Sequence, residues 1–100
     1  MIPFSPRAKR QLDDLTRHYA ERGRDAAIDN LVDSVERSSA RYLANRGLFY
    51  DAPRPYPTLL RPGWRWTKEG QYWIAFGPAK AGPVIHEIFY EAANMPGRLG

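Results

Sequence analysis

Residues 64–77 read WRWTKEGQYWIAFG, and this stretch decides the fold of the second half of the chain. From residue 72 to residue 76 the side chains alternate as on the two faces of a half-buried β-strand. The set expected to face a hydrophobic core is Tyr72, Ile74 and Phe76. All three tryptophans of the chain lie in the same stretch. The sequence leaves open whether they belong to a core or to an exposed surface.

Three short apolar or aromatic runs follow one another in this half of the chain. We predict strands over residues 64–67, 71–76 and 84–90, with turns at residues 68–70 and 77–82. Closely spaced strands joined by short turns are antiparallel. The second half is therefore expected to form a three-stranded antiparallel meander.

The N-terminal half carries the 3.6-residue period of two helices. Ser5 is predicted to cap the first helix, Pro6 to occupy its first turn, and Gly23 to end it. Asp25 is predicted to cap the second helix and Gly47 to end it. The residues expected on the core-facing sides are Ala8, Leu12, Leu15 and Tyr19, then Ile28, Leu31, Val32, Val35, Ser39, Tyr42 and Leu43.

Residues 51–63 contain four prolines and are predicted to form a loop, with a short strand at residues 58–60. Residues 1–4 are a further candidate strand. We expect a single α+β domain over residues 1–100, with an N-terminal helix hairpin packed on a small, mainly antiparallel sheet in two layers.

Composition limits the possible functions. The net charge of +4 favours an acidic partner, either a nucleic acid or an acidic protein. The absence of cysteine excludes disulfides and thiolate chemistry. The two histidines, His18 and His86, lack further ligands at metal-binding spacing. We predict no metal, cofactor, catalytic residue, small-molecule substrate or membrane span, and a cytoplasmic protein.

The tryptophans have basic neighbours, and this combination has two interpretations. Aromatic faces stack on bases and cations neutralise phosphates, so the pattern suits single-stranded nucleic acid. The same indoles could instead cover a sheet edge or contact a protein. The residues concerned are Trp64, Trp66 and Trp73, with Arg61, Arg65 and Lys68.

Residues 4–23, FSPRAKRQLDDLTRHYAERG, resemble the opening of ParE-like toxins of the RelE/ParE superfamily. The segment from Asp25 to Gly47 is similar to the long second helix of that family, and residues 70–99 are similar to its closing hairpin. The chain departs from the family pattern at Trp73, Tyr90 and Asn94, where arginine, histidine and aspartate are usual.

The resemblance implies the toxin of a type II toxin–antitoxin pair, neutralised by a ParD-like antitoxin. ParE-like members poison DNA gyrase, whereas RelE-like members cut mRNA on the ribosome. The predicted central strands, residues 71–76 and 84–90, carry no arginine or lysine to hold a scissile phosphate, so gyrase poisoning is favoured. The alternatives are a RelE-type endonuclease, a non-enzymatic nucleic-acid-binding module, or an inactive toxin.

Two surfaces follow as hypotheses from this resemblance. The predicted toxic contact consists of Arg61, Arg65, Lys68 and Arg98. The predicted antitoxin contact consists of Leu59, Leu60, Trp64, Trp66 and Trp73, together with the exposed side of the helix hairpin, by helix-in-groove and strand-addition modes.

Overall fold

A computed structural model describes residues 2–91 of the chain. Two helices come first, α1 at Pro6–Glu21 and α2 at Asp25–Ala44. Three strands follow, β1 at Arg65–Glu69, β2 at Tyr72–Ala79 and β3 at Gly82–Tyr90. The sheet order is β1-β2-β3 with both pairs antiparallel, so the predicted meander is confirmed.

The start of α1 follows the sequence prediction and the start of α2 does not. The Ser5 hydroxyl accepts a hydrogen bond from the Ala8 amide at 3.1 Å, and Pro6 is the first helical residue. In α2 the N-cap is Arg24, which makes no side-chain cap, so the prediction of an Asp25 cap is wrong. Asp25 instead lies in the first turn, where its negative charge is favourable to the helix dipole.

The end of α2 also differs from the prediction. The helix stops at Ala44, three residues before the predicted Gly47 stop. The Asn45 side chain accepts a hydrogen bond from the Gly47 amide and begins a 3₁₀ turn over Arg46–Leu48. This local bond competes with continuation of the α-helix.

Both hairpins of the meander have two-residue loops. Glu69 pairs with Tyr72 across the first loop, and Ala79 pairs with Gly82 across the second. Strand β2 therefore continues through the first half of the turn predicted at residues 77–82, and β3 begins at Gly82. In the first loop Gly70 has φ +60°, a conformation that glycine adopts without steric cost.

Single backbone bridges cover the two outer strands. Phe4 pairs in parallel with Ile85 of β3, and Tyr50 pairs antiparallel with Trp66 of β1. The strand predicted at residues 1–4 is thus reduced to one bridge within the described residues. The strand predicted at residues 58–60 is wrong, because Pro57–Leu59 forms a 3₁₀ turn.

Both helices pack on one face of the sheet, so the predicted α+β class is confirmed. The ring of Tyr42 on α2 stacks on Phe76 of β2 with centroids 4.8 Å apart. The hydroxyls of Tyr19 and Tyr72 lie 2.6 Å apart, and burial followed by this hydrogen bond raises the pKa of Tyr72 well above its usual value. The buried residues of this helix-side core are Ile2, Ala8, Tyr19, Leu31, Val35, Tyr42, Phe49, Tyr72, Ile74, Phe76, Ile85 and Ile88.

A β-bulge sets the face of each residue on β3. Ala75 pairs with Glu87 and Phe76 pairs with Ile85, so His86 is an extra residue between the two pairs. Without the extra residue, side chains three positions apart would lie on opposite faces. With it, Ile85 and Ile88 both reach the helix-side core.

One carboxylate joins each helix to the sheet. Glu87 of β3 is buried, with Arg7 Nε at 2.5 Å and Gln11 Nε2 at 2.7 Å, so it holds α1. Gln11 also accepts a hydrogen bond from the Ile88 amide at 3.0 Å. Glu69 of β1 accepts from Arg37 at 3.2 Å and from Arg41 at 2.7 Å, which holds α2. Each carboxylate accepts hydrogen bonds from two side chains of one helix, which restricts the orientation of that helix on the sheet as well as attracting it.

We expect Glu87→Ala to lower the free energy of unfolding by about 1–3 kcal/mol, because the half-buried amide of Gln11 loses its acceptor. Urea denaturation measures this loss. The control is Asp14→Ala, which removes an exposed ion pair with Arg17 and is expected to change stability by less than about 0.5 kcal/mol. Equal effects of the two substitutions would show that Glu87 does not hold α1 to the sheet.

Candidate functional site

The tryptophan-rich stretch does not form an exposed aromatic platform. Trp66 is 0 % exposed and Trp73 is 3 % exposed, and only Trp64 of the three is half-buried. On the sheet face away from the helices, they pack in a second core with Leu59, Ala75 and Phe89. The prediction that Trp66 and Trp73 are available to a partner is therefore wrong.

The proline-rich segment buries these tryptophans. Tyr56 packs edge-on against Phe89 with ring centroids 5.9 Å apart, and Leu59 is buried in the same cluster. Pro53 is fully buried as well. Residues 51–63 thus act as a cover for the outer face of the sheet, which explains why so many aromatic side chains can be accommodated in a small protein. Leu60 alone of the predicted antitoxin-binding leucines is exposed.

A histidine and a tryptophan stack at one end of the second core. The rings of Trp64 and His86 are nearly parallel, 9° apart in plane, with centroids separated by 4.5 Å. Both lie against Gly77, where an added Cβ would be 3.0 Å from the His86 ring and 3.1 Å from Trp64. The bulge at His86 and the missing side chain at Gly77 together make room for this pair.

The predicted cationic patch does not come together as one surface. Arg65 and Lys68 are three residues apart on β1, so they lie on opposite faces of the sheet. Arg65 forms an ion pair with Asp51, and Lys68 pairs with Glu91 at 2.6 Å. Arg61 is exposed and donates to the Leu60 carbonyl at 2.9 Å. Arg98 and the divergent position Asn94 lie outside the described residues.

A different set of exposed cationic and apolar side chains lies beside β1. Arg46 lies over the Tyr42 ring at 5.0 Å, and Arg54 lies over the Tyr50 ring at 4.8 Å. Leu48 is 70 % exposed between these two pairs along the chain. We call this surface the arginine edge and define it by Arg46, Leu48, Tyr50, Arg54 and Arg65.

The backbone places Tyr50 and Arg65 of the arginine edge on neighbouring extended segments. Tyr50 is hydrogen-bonded to Trp66 in both directions, at 2.8 and 2.7 Å. Arg65 precedes Trp66, and its partner Asp51 follows Tyr50. Stacking on an aromatic ring restricts a guanidinium without neutralising it, so Arg46 and Arg54 retain their charge for an outside partner.

The sequence contains a weak signal for the arginine edge. Arg46 and Arg54 flank the run GLFYDAP, in which Leu48 and Tyr50 alternate with the buried Phe49. Such alternation next to basic residues indicates a segment with one exposed side. The sequence does not show where this segment lies. The bridge between Tyr50 and Trp66 places it alongside β1, at the edge of the sheet.

Residues 2–91 contain neither a metal-binding cluster nor a helix that could span a membrane. No group of three or more histidine, aspartate or glutamate side chains is placed to hold a metal ion. No helix in the same range is both long and apolar enough to cross a membrane.

Comparison with known proteins adds no family assignment. No protein-family model matches the chain, and no curated protein matches it.

We expect Trp73→Ala to cost about 3–5 kcal/mol of stability, because it empties a closed part of the second core. Trp73→Phe should cost clearly less than Trp73→Ala, since it keeps a six-membered ring in the second core and removes an indole N–H that has no partner. Thermal and urea unfolding distinguish the two variants. Near-neutral behaviour of Trp73→Ala would restore the exposed-platform interpretation.

We expect Gly77→Ala to destabilise the fold by about 1–3 kcal/mol, because the new methyl group would lie 3.0 Å from the His86 ring and would force the stacked pair to shift. Adding His86→Ala in the same chain should recover part of that loss. A double-mutant cycle with urea denaturation measures the coupling. Strictly additive effects would show that Gly77 is not required by the stacked pair.

Proposed function

We propose that the chain is a small toxin of a type II toxin–antitoxin pair that arrests growth by binding DNA gyrase. The observation that carries the proposal is the order of elements: a bridge beside the last strand, a helix hairpin and an antiparallel meander. This is the order that the resemblance to ParE-like toxins implies. Fold alone does not determine function, and the exposed side chains of the domain are what favour one target over another.

The surface favours protein binding over RNA cleavage. Strands β2 and β3 carry no arginine or lysine, so they offer no cations for a scissile phosphate. On β3, Glu87 is engaged by Arg7 and Gln11, and His86 is stacked on Trp64. These side chains have structural partners, and none of them meets a cationic cluster within residues 2–91.

The arginine edge is the surface that we propose for the gyrase contact. It combines exposed apolar side chains with guanidinium groups, the composition typical of residues that dominate protein–protein binding. Leu48 and Tyr50 are 70 % and 41 % exposed. The net charge of +4 would attract an acidic partner surface over a longer range.

The proposed antitoxin would neutralise the toxin by covering an exposed surface of the same domain. Of the leucines and tryptophans first assigned to this contact, Leu60 is exposed at 54 % and Trp64 is half-buried. A ParD-like segment is therefore proposed to contact Leu60 and Trp64 from outside, with no access to Trp66 or Trp73.

We expect the purified protein to trap cleaved DNA when it is mixed with gyrase, and the product of the neighbouring gene to suppress this effect. Arg46→Glu with Arg54→Glu should raise the protein concentration needed for half-maximal cleavage by roughly tenfold or more, as for hot-spot arginines. Arg61→Glu tests the originally predicted patch separately. The assay is agarose-gel quantitation of linear and relaxed plasmid.

The control is Arg10→Glu with Arg17→Glu, which makes the same change in charge on the exposed side of α1. This control should retain the wild-type effect. Unaltered gyrase with wild-type protein would refute the proposed target. Ribosome-dependent mRNA cutting would then indicate a RelE-type endonuclease, and tight, salt-sensitive binding of single strands would indicate a nucleic-acid-binding module.

A further inference from the structure

The outer side of α2 carries a row of side chains that the rest of residues 2–91 leaves exposed. Val32 is 43 % exposed and Leu43 is 61 % exposed. Between them lies an open groove of about 340 Å³ that is lined by Glu36, Ser39, Ala40 and Leu43. At about 100° per residue, all of these residues except Ala40 fall within about 60° of one another around the helix axis. They therefore form one face of α2.

This face contains a polar group that lacks a hydrogen-bond partner. Ser39 is 2 % exposed, and its hydroxyl makes no hydrogen bond within residues 2–91. The neighbouring buried serines differ, because Ser34 donates to the Asn30 carbonyl at 2.8 Å and Ser38 donates to the Val35 carbonyl at 3.1 Å. A buried hydroxyl without a partner is costly and rare in folded proteins. An acceptor supplied from outside the chain would satisfy it.

The order of side chains along the face is symmetric about the midpoint between residues 37 and 38. Val32 and Leu43 are equally distant from this point, and both are aliphatic. Glu36 and Ser39 are also equally distant from it, and they offer a hydrogen-bond acceptor and a donor. Two antiparallel helices related by a two-fold axis at the midpoint place each residue opposite its symmetric counterpart. The face of α2 is therefore complementary to itself.

A pair of opposite charges extends the symmetry. Asp29 and Arg46 are equally distant from the same midpoint, and Arg46 lies two residues beyond the end of α2. Both are exposed, and neither takes part in an ion pair within residues 2–91. Arg46 is held over the Tyr42 ring at 5.0 Å, which restricts its guanidinium without neutralising it.

We propose that two copies of the chain associate through this face, with their α2 helices antiparallel and a two-fold axis at the midpoint. Val32 of each copy packs on Leu43 of the other copy. The Ser39 hydroxyl donates to the carboxylate of Glu36 across the axis. The exposed carboxylate and guanidinium of the charged pair meet at each end of the contact. Every interaction occurs twice, because the interface is isologous.

Charge distinguishes this arrangement from the other occupants of the face. Parallel helices would bring Asp29 opposite Asp29 and Glu36 opposite Glu36, which is repulsive. A nucleic acid would be repelled by the same carboxylates and by Asp33. The antitoxin contact proposed above uses Leu60 and Trp64, and neither of them belongs to this face.

The expected dimer is weak. One helix from each copy is expected to bury less than the roughly 800 Å² per partner of a standard stable interface. We therefore expect association at protein concentrations of about 100 µM and above. Because Arg46 also belongs to the arginine edge, the dimer withdraws one guanidinium of that edge from an outside partner.

Sedimentation velocity on the full chain, between about 10 µM and 1 mM, tests the association. Asp29→Arg and Arg46→Asp should each weaken it by roughly tenfold or more, because two like-charge contacts replace two ion pairs. The two substitutions in the same chain should restore the dimer, since the opposite charges again face each other. Glu21→Arg makes the same change in charge on α1 as Asp29→Arg makes on α2, and it should leave the dimer unchanged.

Disulfide cross-linking tests the register, because the chain contains no cysteine of its own. Val32→Cys and Leu43→Cys in the same chain should give a covalent dimer under oxidising conditions. Either substitution alone should cross-link much more slowly, since two copies of one position lie roughly 16 Å apart in this register. The two positions are equally far apart within one copy, so they cannot form a disulfide inside the chain.

Three results would overturn the proposal. The first is a chain that remains monomeric at about 1 mM. The second is a double charge reversal that fails to restore association, and the third is cross-linking of Val32→Cys alone as fast as that of the double variant. An unchanged urea midpoint verifies that each variant is folded, since all the substituted positions are exposed. These experiments contain neither gyrase nor antitoxin, so their outcome is independent of the proposed function.

Discussion

The fold depends on a central strand that is buried on both faces. Strand β2 directs Tyr72, Ile74 and Phe76 into the helix-side core and Trp73 and Ala75 into the second core. A strand in this position needs a layer of structure on each side. Without that layer, the aromatic and aliphatic side chains of the uncovered face would be exposed to water, which is unfavourable. The helix hairpin supplies one layer. The proline-rich segment, which has little regular structure, supplies the other.

The two helices are oriented on the sheet by charge as well as by packing. Glu87 holds α1 to one edge of the meander, and Glu69 holds α2 to the other. Apolar contact alone is tolerant of small rotations and translations, whereas a carboxylate with two donors accepts only a narrow geometry. This use of Glu69 also draws Arg37 and Arg41 to one flank of α2. The carboxylates of the opposite flank, Asp29, Asp33 and Glu36, take part in no ion pair within residues 2–91.

The exposed charges are consequently divided between two surfaces. The arginine edge is cationic, with Leu48 and Tyr50 as its apolar members, while the outer side of α2 is anionic around Val32 and Leu43. Each surface pairs an apolar contact with one sign of charge, so the two would select different partners.

The sequence by itself determined the elements. The Ser5 cap, the 3.6-residue period and the alternation from residue 72 to residue 76 are local signals, and they predicted both helices, the meander and the α+β class. Tertiary structure alone decided what the tryptophans and the cations do. Burial of Trp66 and Trp73 depends on residues 51–63 folding over a sheet formed later in the chain, and the bulge at His86 depends on pairing between strands. The prediction of a single cationic patch was wrong because side chains three positions apart on a strand point to opposite faces of the sheet. Arg65 and Lys68 are therefore close in sequence and not in space.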